Sequence, residues 1–353
     1  MINDVVFLPT HRHGDRTPVK DIMIIAVNRE ELVELIEPWG YGQLTNVGRR
    51  RGYELGKFIR RRYDDLLSDT FNKSEIYIRS TDSTRAKMTV LTAMAAVYPA
   101  VGDTWSRDIN WVPIPYTTVP ARDDFNLALM NCPVFISAYN QLQYTNSPSM
   151  ASFSSVIEDI SEIIQYDVTN YPNYAYTIYD LFASEVNLGE ELNALMPDIE
   201  AAAGVAIDNL FGDDNYIALE GGVLLNEFFT YANAVIAGND TQRVRIYSAH
   251  DFIVYAILSV AQITPRQGVP EYGSAFALEL RRVVKTGQIV VLPVYLPSAG
   301  EKEIYLNVDG CKGLLCDFDS FYSITSKYLL DFDSWRSKCG YTDDFEIDTS
   351  NID

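Results

Sequence analysis

The sequence is poor in histidine and cysteine, and it contains no long apolar run. Its 353 residues include three histidines and four cysteines. No stretch approaches the roughly 20 apolar residues of a membrane-spanning helix, and no basic start followed by an apolar segment marks a secretion signal. The cysteines also lack the paired short spacing of a zinc site. We therefore expect no membrane span and no zinc centre.

Basic residues are missing from about a third of the chain. Residues 123–242 contain no lysine or arginine but 18 aspartates and glutamates, and they carry most of the net charge of −20. A field of this sign repels nucleic acid, so we expect no such partner. Helical apolar spacing predicts an acidic, mainly helical cap over 123–242, inserted between the two parts of a core, 1–122 and 243–353. We interpret the cap's charge as a solvated face.

The two flanking parts show repeated strand, loop and helix patterns. Strands are predicted at 5–8, 75–79 and 244–247, each followed by a helical pattern, and residues 275–280 and 289–296 form a predicted hairpin. Thr45 or Asn46 is the expected cap of the first long helix. The pattern is that of an α/β fold, in which ligands bind beyond the carboxyl ends of the strands. The arginine runs at 49–51 and 60–62 are interpreted as solvated.

All three histidines fall in two short clusters, each just beyond a predicted strand. The clusters read THRHGDRTP at residues 10–18 and YSAHD at residues 247–251. Arginine forks match phosphate oxygens, a neutral imidazole can attack phosphorus, and an aspartic acid can protonate an alkoxide leaving group. These residue types together predict phosphoryl-transfer chemistry, with His13 as nucleophile, Asp251 as proton donor and three phosphate-binding cations, Arg12, Arg16 and Arg79.

These clusters resemble the two signatures of the histidine acid phosphatases. Further stretches resemble the prostatic and lysosomal branch of that family in the same order, among them Gln43-Leu44-Thr45, Arg79-Ser80-Thr81-Asp82 and Asn131-Cys132-Pro133. The resemblance covers nearly the full length. It implies a phosphoglycerate-mutase-like α/β sandwich with a mixed central sheet and an inserted, mainly helical cap domain.

The resemblance also implies a reaction and a set of site residues. His13 would form a phosphohistidine intermediate, Asp251 would donate the proton, and the phosphate would be held by Arg12, Arg16, Arg79 and His250. The activity implied is a metal-independent acid phosphatase that needs no cofactor and acts on a small phosphate monoester or on a phosphorylated peptide or lipid. A homodimer is implied through the region 111–120.

His11 and Arg85 stand outside the roles that the resemblance assigns. The family signature does not include a histidine at the position of His11, so it is interpreted as part of the pocket rim or as a partly exposed residue. Arg85 is interpreted as a partner of a carboxylate behind the site, with a simple role at its helix start as the alternative.

The cysteines and two sequons bear on the cellular compartment. Four cysteines allow three disulfide pairings, and the resemblance selects Cys132 with Cys339 and Cys311 with Cys316. Disulfides form in oxidising compartments. Asn72 and Asn239 begin glycosylation sequons. We expect a secreted, lumenal or lysosomal protein whose mature chain lacks its signal peptide, with a reduced cytoplasmic protein as the alternative.

Three alternatives to an acid phosphatase are compatible with the sequence. A phytase shares both signatures, but its highly charged ligand conflicts with the base-free cap. A phosphoglycerate-type mutase is usually smaller and takes its acid from a glutamate elsewhere. A secreted protein that binds a phosphorylated ligand with little turnover would need neither His13 nor Asp251.

Overall fold

The structure is a computed structural model that describes residues 2–101, 105–145, 147–184, 189–342 and 344–347, without the side chains of 2–8 and 189–190. Its centre is a seven-stranded mixed sheet in the order β2-β3-β1-β5-β6-β7, with β9 also paired to β6, and a small second sheet joins β4 to β8. The strands are β1 (Ile2–Arg12), β2 (Ile76–Ser80), β3 (Val244–Ala249), β4 (Ile263–Thr264), β5 (Ala275–Val283), β6 (Ile289–Leu296), β7 (Ile304–Tyr305), β8 (Asn307–Val308) and β9 (Cys316–Asp317).

Helices lie between the strands and after the last one, so the prediction of an α/β fold with a mixed sheet is confirmed. In chain order they are α1 (Arg29–Ile36), α2 (Asn46–Arg62), α3 (Thr84–Val97), α4 (Ala128–Asn131), α5 (Pro133–Gln143), α6 (Ser154–Ile164), α7 (Ala175–Ala183), α8 (Gly189–Leu210), α9 (Asp214–Ile236), α10 (Asp251–Val260), α11 (Phe318–Thr325) and α12 (Phe332–Cys339).

Strands β2, β3 and β1 run parallel and end at the same edge of the sheet. Arg12 at the end of β1 pairs with Ala249 at the end of β3, and Ser80 at the end of β2 pairs with Ser248. The strand β5 runs antiparallel to β1, so that Ala275 at its start lies opposite His11. This register brings both histidine clusters and the segment before β5 to one edge.

The predicted elements of the flanking parts are present, and the first strand differs most from its predicted extent. The first strand continues through the polar residues to Arg12, because β3 and β5 pair with it on both sides. Helix α2 begins after Thr45, whose side-chain oxygen accepts a hydrogen bond from the Gly48 amide at 3.2 Å. The predicted hairpin is formed by β5 and β6.

The described residues of the acidic segment 123–242 form helices joined by loops and contain no strand. Buried side chains of its helix α9, such as Leu224 and Phe228, belong to the same apolar core as Ile253 of α10 and Ala249 of β3. The segment therefore packs directly on the sheet. Its treatment as a separate domain stays a prediction, as does a dimer through 111–120.

The arginine runs of α2 are only partly solvated, which corrects the expectation for them. Arg62 pairs with the fully buried carboxylate of Glu279 at 2.5 Å, and Arg51 pairs with Asp15, whose side chain is 4% exposed. Each run thus places one arginine against a buried acid, because the inner face of α2 packs in one apolar cluster with residues of the sheet. Within the described residues, no helix combines the length and apolarity needed to cross a membrane.

Candidate active site

A cavity of about 600 Å³ opens at the sheet edge where the two histidine clusters meet. One wall comes from the loops after β1 and β3 and from the start of α3, and the other comes from the helices of the acidic segment. Its ionisable lining residues, other than tyrosines, are His13, Asp21, Arg16, Arg85, Asp180, Glu220, His250, Asp251 and Glu346.

His13 presents one ring nitrogen to this cavity in a defined tautomer. Its Nδ1 lies 2.9 Å from the carbonyl oxygen of Gly14, and because a carbonyl only accepts, Nδ1 must carry the proton. The other nitrogen, Nε2, accepts a hydrogen bond from Arg85 Nε at 3.2 Å. The ring therefore carries its lone pair at Nε2, which the Arg85 N–H occupies in the free protein and must release before Nε2 can act as a nucleophile.

The environment of His13 keeps its ring neutral. Burial, and then the charges of Arg85 and His250, hold the pKa of His13 well below its usual value of 6.5. A neutral imidazole at acid pH is a competent nucleophile, whereas an imidazolium ion has no lone pair to donate.

Gly14 allows the histidine loop to lie directly against the first turn of α2. A Cβ atom at Gly14 would stand 2.3 Å from the backbone oxygen of Gly48, and a Cβ at Gly48 would stand 2.1 Å from the backbone oxygen of Asp15. Both positions therefore need glycine, and their contact fixes where His13 stands relative to the helix.

Three arginines meet at this end of the cavity: Arg16 and Arg85 line it, and Arg12 lies behind the lining residues, paired with Asp251 at 2.8 Å. Arg12 and Arg16 both pair with Asp180, Arg12 at 3.3 Å and Arg16 at 2.6 Å. Arg85, from the first turn of α3, is buried beside His13, and its burial together with the charge of Arg16 lowers its pKa to about 10. We call these three residues, with His13 and His250, the phosphate cradle.

His250 completes the cradle from the end of β3. Its ring lies edge-on to that of His13, with centroids 5.4 Å apart and an interplanar angle of 73°. Thr81 Oγ1 lies 3.0 Å from His250 Nε2, which orients the ring. Burial, followed by the charges of Arg85 and Arg16, lowers the pKa of His250 well below 6.5.

Asp251 lies beside the cradle as the first residue of α10. Its Oδ1 accepts a hydrogen bond from the Phe252 amide at 2.9 Å. Its Oδ2 lies 2.8 Å from Arg12 Nη2 and accepts a hydrogen bond from the Tyr176 hydroxyl, also at 2.8 Å. The carboxyl group is thus held in place at the edge of the cavity, where it can exchange a proton with a bound ester.

The structure does not bring Arg79 to this cavity, which corrects its predicted role. Its guanidinium group lies 2.6 Å from the buried carboxylate of Asp124 and 4.4 Å from the centroid of the Phe125 ring. Because Arg79 belongs to β2, its side chain is directed to one face of the sheet. Arg85, six residues further on, occupies the place expected for Arg79.

His11 lies in neither of the positions expected for it. It is fully buried in β1, it does not line the cavity, and its Nδ1 lies 3.2 Å from the backbone oxygen of Arg12. Burial lowers the pKa of His11 to about 4, so its ring is neutral and packs inside the sheet. His13 lies beyond the last residue of β1, so the pleat that directs His11 into the sheet does not set the direction of the His13 side chain.

Four further residues at the site carry no signal in the sequence. Asp180, Tyr176 and Glu220 come from helices of the acidic segment, and Tyr272 precedes β5, where its ring lies 4.1 Å from the Arg12 guanidinium carbon. Their approach to the cradle depends on how α7 and α9 pack on the sheet. Arg85 alone had a readable signal, since it stands at the start of a helix that follows a strand.

The cysteine pairs and the sequons are both visible in the structure. Disulfides join Cys132 to Cys339 and Cys311 to Cys316, as the resemblance implied. Asn72 and Asn239 are exposed, and their sequons are adjacent because Thr241 Oγ1 donates a hydrogen bond to the Ser74 carbonyl oxygen at 2.9 Å.

The α/β sheet with its helical segment, and the cluster of histidines and arginines at its edge, are those of a histidine phosphatase. A model of the histidine phosphatase superfamily, branch 2, matches residues 10–288, and the chain belongs to this family. The predictions of family and fold are therefore confirmed.

Similar proteins include both acid phosphatases and phytases. Prostatic acid phosphatase from Bos taurus is 26% identical over 341 residues, which cover 93% of this chain and 85% of that protein. Lysosomal acid phosphatase from Homo sapiens is 26% identical over 346 residues, covering 93% and 78%. The solved phytase from Citrobacter braakii matches with a TM-score of 0.66 at 12% identity, covering 96% of this chain and 100% of that one.

Proposed function

We propose that the protein is an acid phosphatase that hydrolyses phosphate monoesters through a phosphohistidine on His13. The observation that carries the proposal is the unprotonated Nε2 of His13, which faces a cavity lined by Arg16, Arg85 and His250. Its membership in a family of phosphoric monoester hydrolases supports the same reaction.

In the first step, the Nε2 lone pair of His13 attacks phosphorus and the bond from phosphorus to the ester oxygen breaks. The electron pair of that bond stays on the leaving oxygen, which takes a proton from Asp251. The cradle arginines bind the phosphoryl oxygens and stabilise their growing charge. Since Arg12 and Arg16 pair with Asp180 and Asp251 in the free protein, a bound phosphate must take over these donors.

In the second step, water attacks the phosphohistidine and the bond from phosphorus to Nε2 breaks. The carboxylate of Asp251, left after the first step, takes a proton from the water, and neutral His13 is restored. Asp251 must therefore be protonated before the first step, which favours an acid pH. Neither step calls on a metal ion.

An assay with para-nitrophenyl phosphate from pH 4 to 8 tests the proposed function. We expect turnover with an acid optimum, unchanged by a chelator of divalent metals, and a loss of at least about a thousandfold in His13→Ala. Full activity in His13→Ala would contradict the mechanism. An inactive wild-type protein would favour a phospho-ligand-binding protein instead.

A phytase is the second candidate, because solved phytases share the fold over almost the whole chain. Beyond the cradle, however, the cavity is lined by the acids Asp21, Glu220 and Glu346 and by no lysine or arginine among the described residues. Such a wall offers no cation to the remaining phosphate groups of an inositol polyphosphate. We therefore expect para-nitrophenyl phosphate to be hydrolysed far faster than inositol hexakisphosphate.

We also propose that the protein works in an oxidising, secreted or lysosomal compartment and is glycosylated at Asn72 and Asn239. The two disulfides and the exposure of both asparagines support this location. Removal of N-linked glycans from the protein expressed through a secretory pathway should lower its mass, and Asn72→Gln with Asn239→Gln should abolish that change.

A further inference from the structure

Asp180 occupies arginine nitrogens that a phosphoryl group would need. It lies on α7 and lines the cavity, and it is 8% exposed. Its Oδ1 and Oδ2 accept hydrogen bonds from Arg16 Nη2 at 2.8 and 2.6 Å. Its Oδ1 also accepts a hydrogen bond from Arg12 Nη2 at 3.3 Å. One carboxylate thus bridges two arginines of the phosphate cradle.

The contacts of Arg16 leave it no free pair of donors for a phosphate group. Its Nη1 donates to the Thr17 carbonyl oxygen at 3.1 Å, its Nη2 donates to both oxygens of Asp180, and its Nε is buried without a hydrogen bond to any described residue. A guanidinium group binds a phosphate through two adjacent nitrogens, and each such pair includes Nη2. A phosphate held in this way by Arg16 must therefore displace at least one hydrogen bond to Asp180.

Arg12 is held in a similar way. Its Nη1 donates to the Pro270 carbonyl oxygen at 2.7 Å, and its Nη2 is shared by Asp180 and Asp251. Its Nε, like that of Arg16, is buried without a hydrogen bond to any described residue. The side chains of Arg12 and Arg16 are only 2% and 6% exposed, so carboxylates rather than water balance their charges.

Asp180 supplies to Arg16 the negative charge that a phosphate would supply. Burial opposes the charge of Arg16, but the charge of Asp180 is the largest opposing contribution, and the pKa of Arg16 lies above its usual value. A phosphate dianion would neutralise the same cations. While Asp180 stays beside them, its carboxylate repels that dianion. The carboxylate therefore weakens the binding of any phosphate group in the cradle.

We propose that Asp180 is an internal competitor of phosphate, which keeps the cradle from retaining inorganic phosphate after hydrolysis. It acts through Arg12 and Arg16 and takes no part in the breaking of bonds. Because the phosphoryl group of an ester and free phosphate use the same donors, Asp180 weakens the binding of both. This inference rests on the proposed phosphatase function and adds a control of product release to it.

The test measures the dissociation constant of inorganic phosphate at pH 7 by titration calorimetry. Asp180→Asn keeps the shape of the side chain and removes its charge, so we expect this variant to bind phosphate at least about tenfold more tightly. The matched control is Glu346→Gln, which removes an exposed negative charge from the same cavity lining. It should change the dissociation constant by less than about twofold, because solvent screens an exposed charge.

Kinetics with para-nitrophenyl phosphate give a second measurement. In Asp180→Asn, KM and the inhibition constant of phosphate should both fall, by about the same factor as the dissociation constant. Damage to the arrangement of the arginines would raise both constants instead. If Asp180→Asn does not fold, Asp180→Ser, which leaves room for water beside the arginines, provides the same test.

Unchanged or weaker binding of phosphate by Asp180→Asn would overturn the proposal, because Asp180 would then only hold the arginines in place. Equal tightening in Glu346→Gln would also overturn it, since any acid of the lining would then have the same effect. The binding of phosphate requires no turnover. A protein that hydrolyses no ester but binds phosphate more tightly as Asp180→Asn would therefore refute the proposed function and retain the competition by Asp180.

Discussion

At the scale of single residues, the site depends on an imidazole that stays neutral in acid. Burial and the charges of Arg85 and His250 depress the pKa of His13. The folded protein therefore binds fewer protons than the unfolded chain below about pH 6.5, and stability is lost as the pH falls through that value. The same environment that makes His13 a nucleophile at low pH thus costs stability there.

Asp251→Asn tests the acid at the same scale. An asparagine keeps the shape but cannot protonate the leaving oxygen, so we expect alkyl phosphates to lose at least about a hundredfold in kcat. Aryl phosphates, whose leaving groups need little protonation, should lose much less. Single-turnover rates with phenyl and ethyl phosphate measure both, and equal losses would remove Asp251 from the role of the acid.

Glu220 gives a prediction on stability that needs no substrate. Its pKa rises from 4.5 to about 8 because of burial and the charge of Asp251, so the folded protein keeps a proton that the unfolded chain has lost. The contribution is complete below about pH 4.5 and is lost as the pH rises to about 8, by on the order of 4 kcal/mol. Urea unfolding at pH 5 and pH 8.5 should show that Glu220→Gln removes this loss.

The control for that measurement is Glu162→Gln, since Glu162 is exposed on α6. It should leave the difference in unfolding free energy between the two pH values unchanged. If the unfolding free energy changes between pH 5 and pH 8.5 by the same amount in wild type and in Glu220→Gln, then Glu220 is ionised at pH 5 in the folded protein.

At the scale of elements, the sequence predicts the strands and helices that carry the chemistry. Apolar runs before both histidine clusters mark β1 and β3, and the capping residue Thr45 marks the start of α2. These features are local, so periodicity and capping chemistry are sufficient to find them. The register of β1 against β3 then brings His13 and His250 together.

The direction of single side chains at the ends of these elements was harder to predict. Arg79 and Arg85 are separated by one short loop, but the pleat of β2 turns Arg79 to Asp124 while α3 directs Arg85 to His13. Asp180 and Glu220 reach the site only because α7 and α9 pack on the sheet. No local pattern encodes those contacts, since they depend on the tertiary arrangement of helices distant in sequence.

The two arginines at the element ends make a matched pair of variants. Arg85→Ala removes a guanidinium group from the cradle, and we expect kcat/KM for para-nitrophenyl phosphate to fall at least about a hundredfold with little change in stability. Arg79→Leu leaves the buried Asp124 unpaired and should cost about 3 kcal/mol of unfolding free energy. The kcat/KM of folded Arg79→Leu should change by less than about fivefold. A large loss of kcat/KM in Arg79→Leu, with a small one in Arg85→Ala, would restore Arg79 to the site.

At the scale of the whole molecule, one disulfide ties the acidic segment to the end of the chain. Cys132 precedes α5 and Cys339 ends α12, and they are 207 residues apart in sequence. Cys311 and Cys316 are separated by 5. A cross-link restricts the unfolded chain more when its loop is longer. The long-range disulfide therefore contributes more to the free energy of unfolding.

Replacing each pair by alanine tests this difference. From the loop lengths we expect a loss of about 5 kcal/mol without the Cys132–Cys339 bond and about 2 kcal/mol without the Cys311–Cys316 bond. Chemical unfolding at pH 6 measures both. Equal losses would mean that local packing, rather than the restricted unfolded chain, accounts for the stabilisation.

The covalent intermediate on His13 is the central claim, and rapid quenching tests it most directly. The protein is mixed with a phosphate monoester labelled in its phosphoryl group, quenched within milliseconds, and digested to locate the label. We expect an acid-labile, alkali-stable phosphohistidine on the peptide that contains His13, and none in His13→Ala. A wild-type protein that turns over the ester but carries no label on His13 at any quench time would contradict the mechanism.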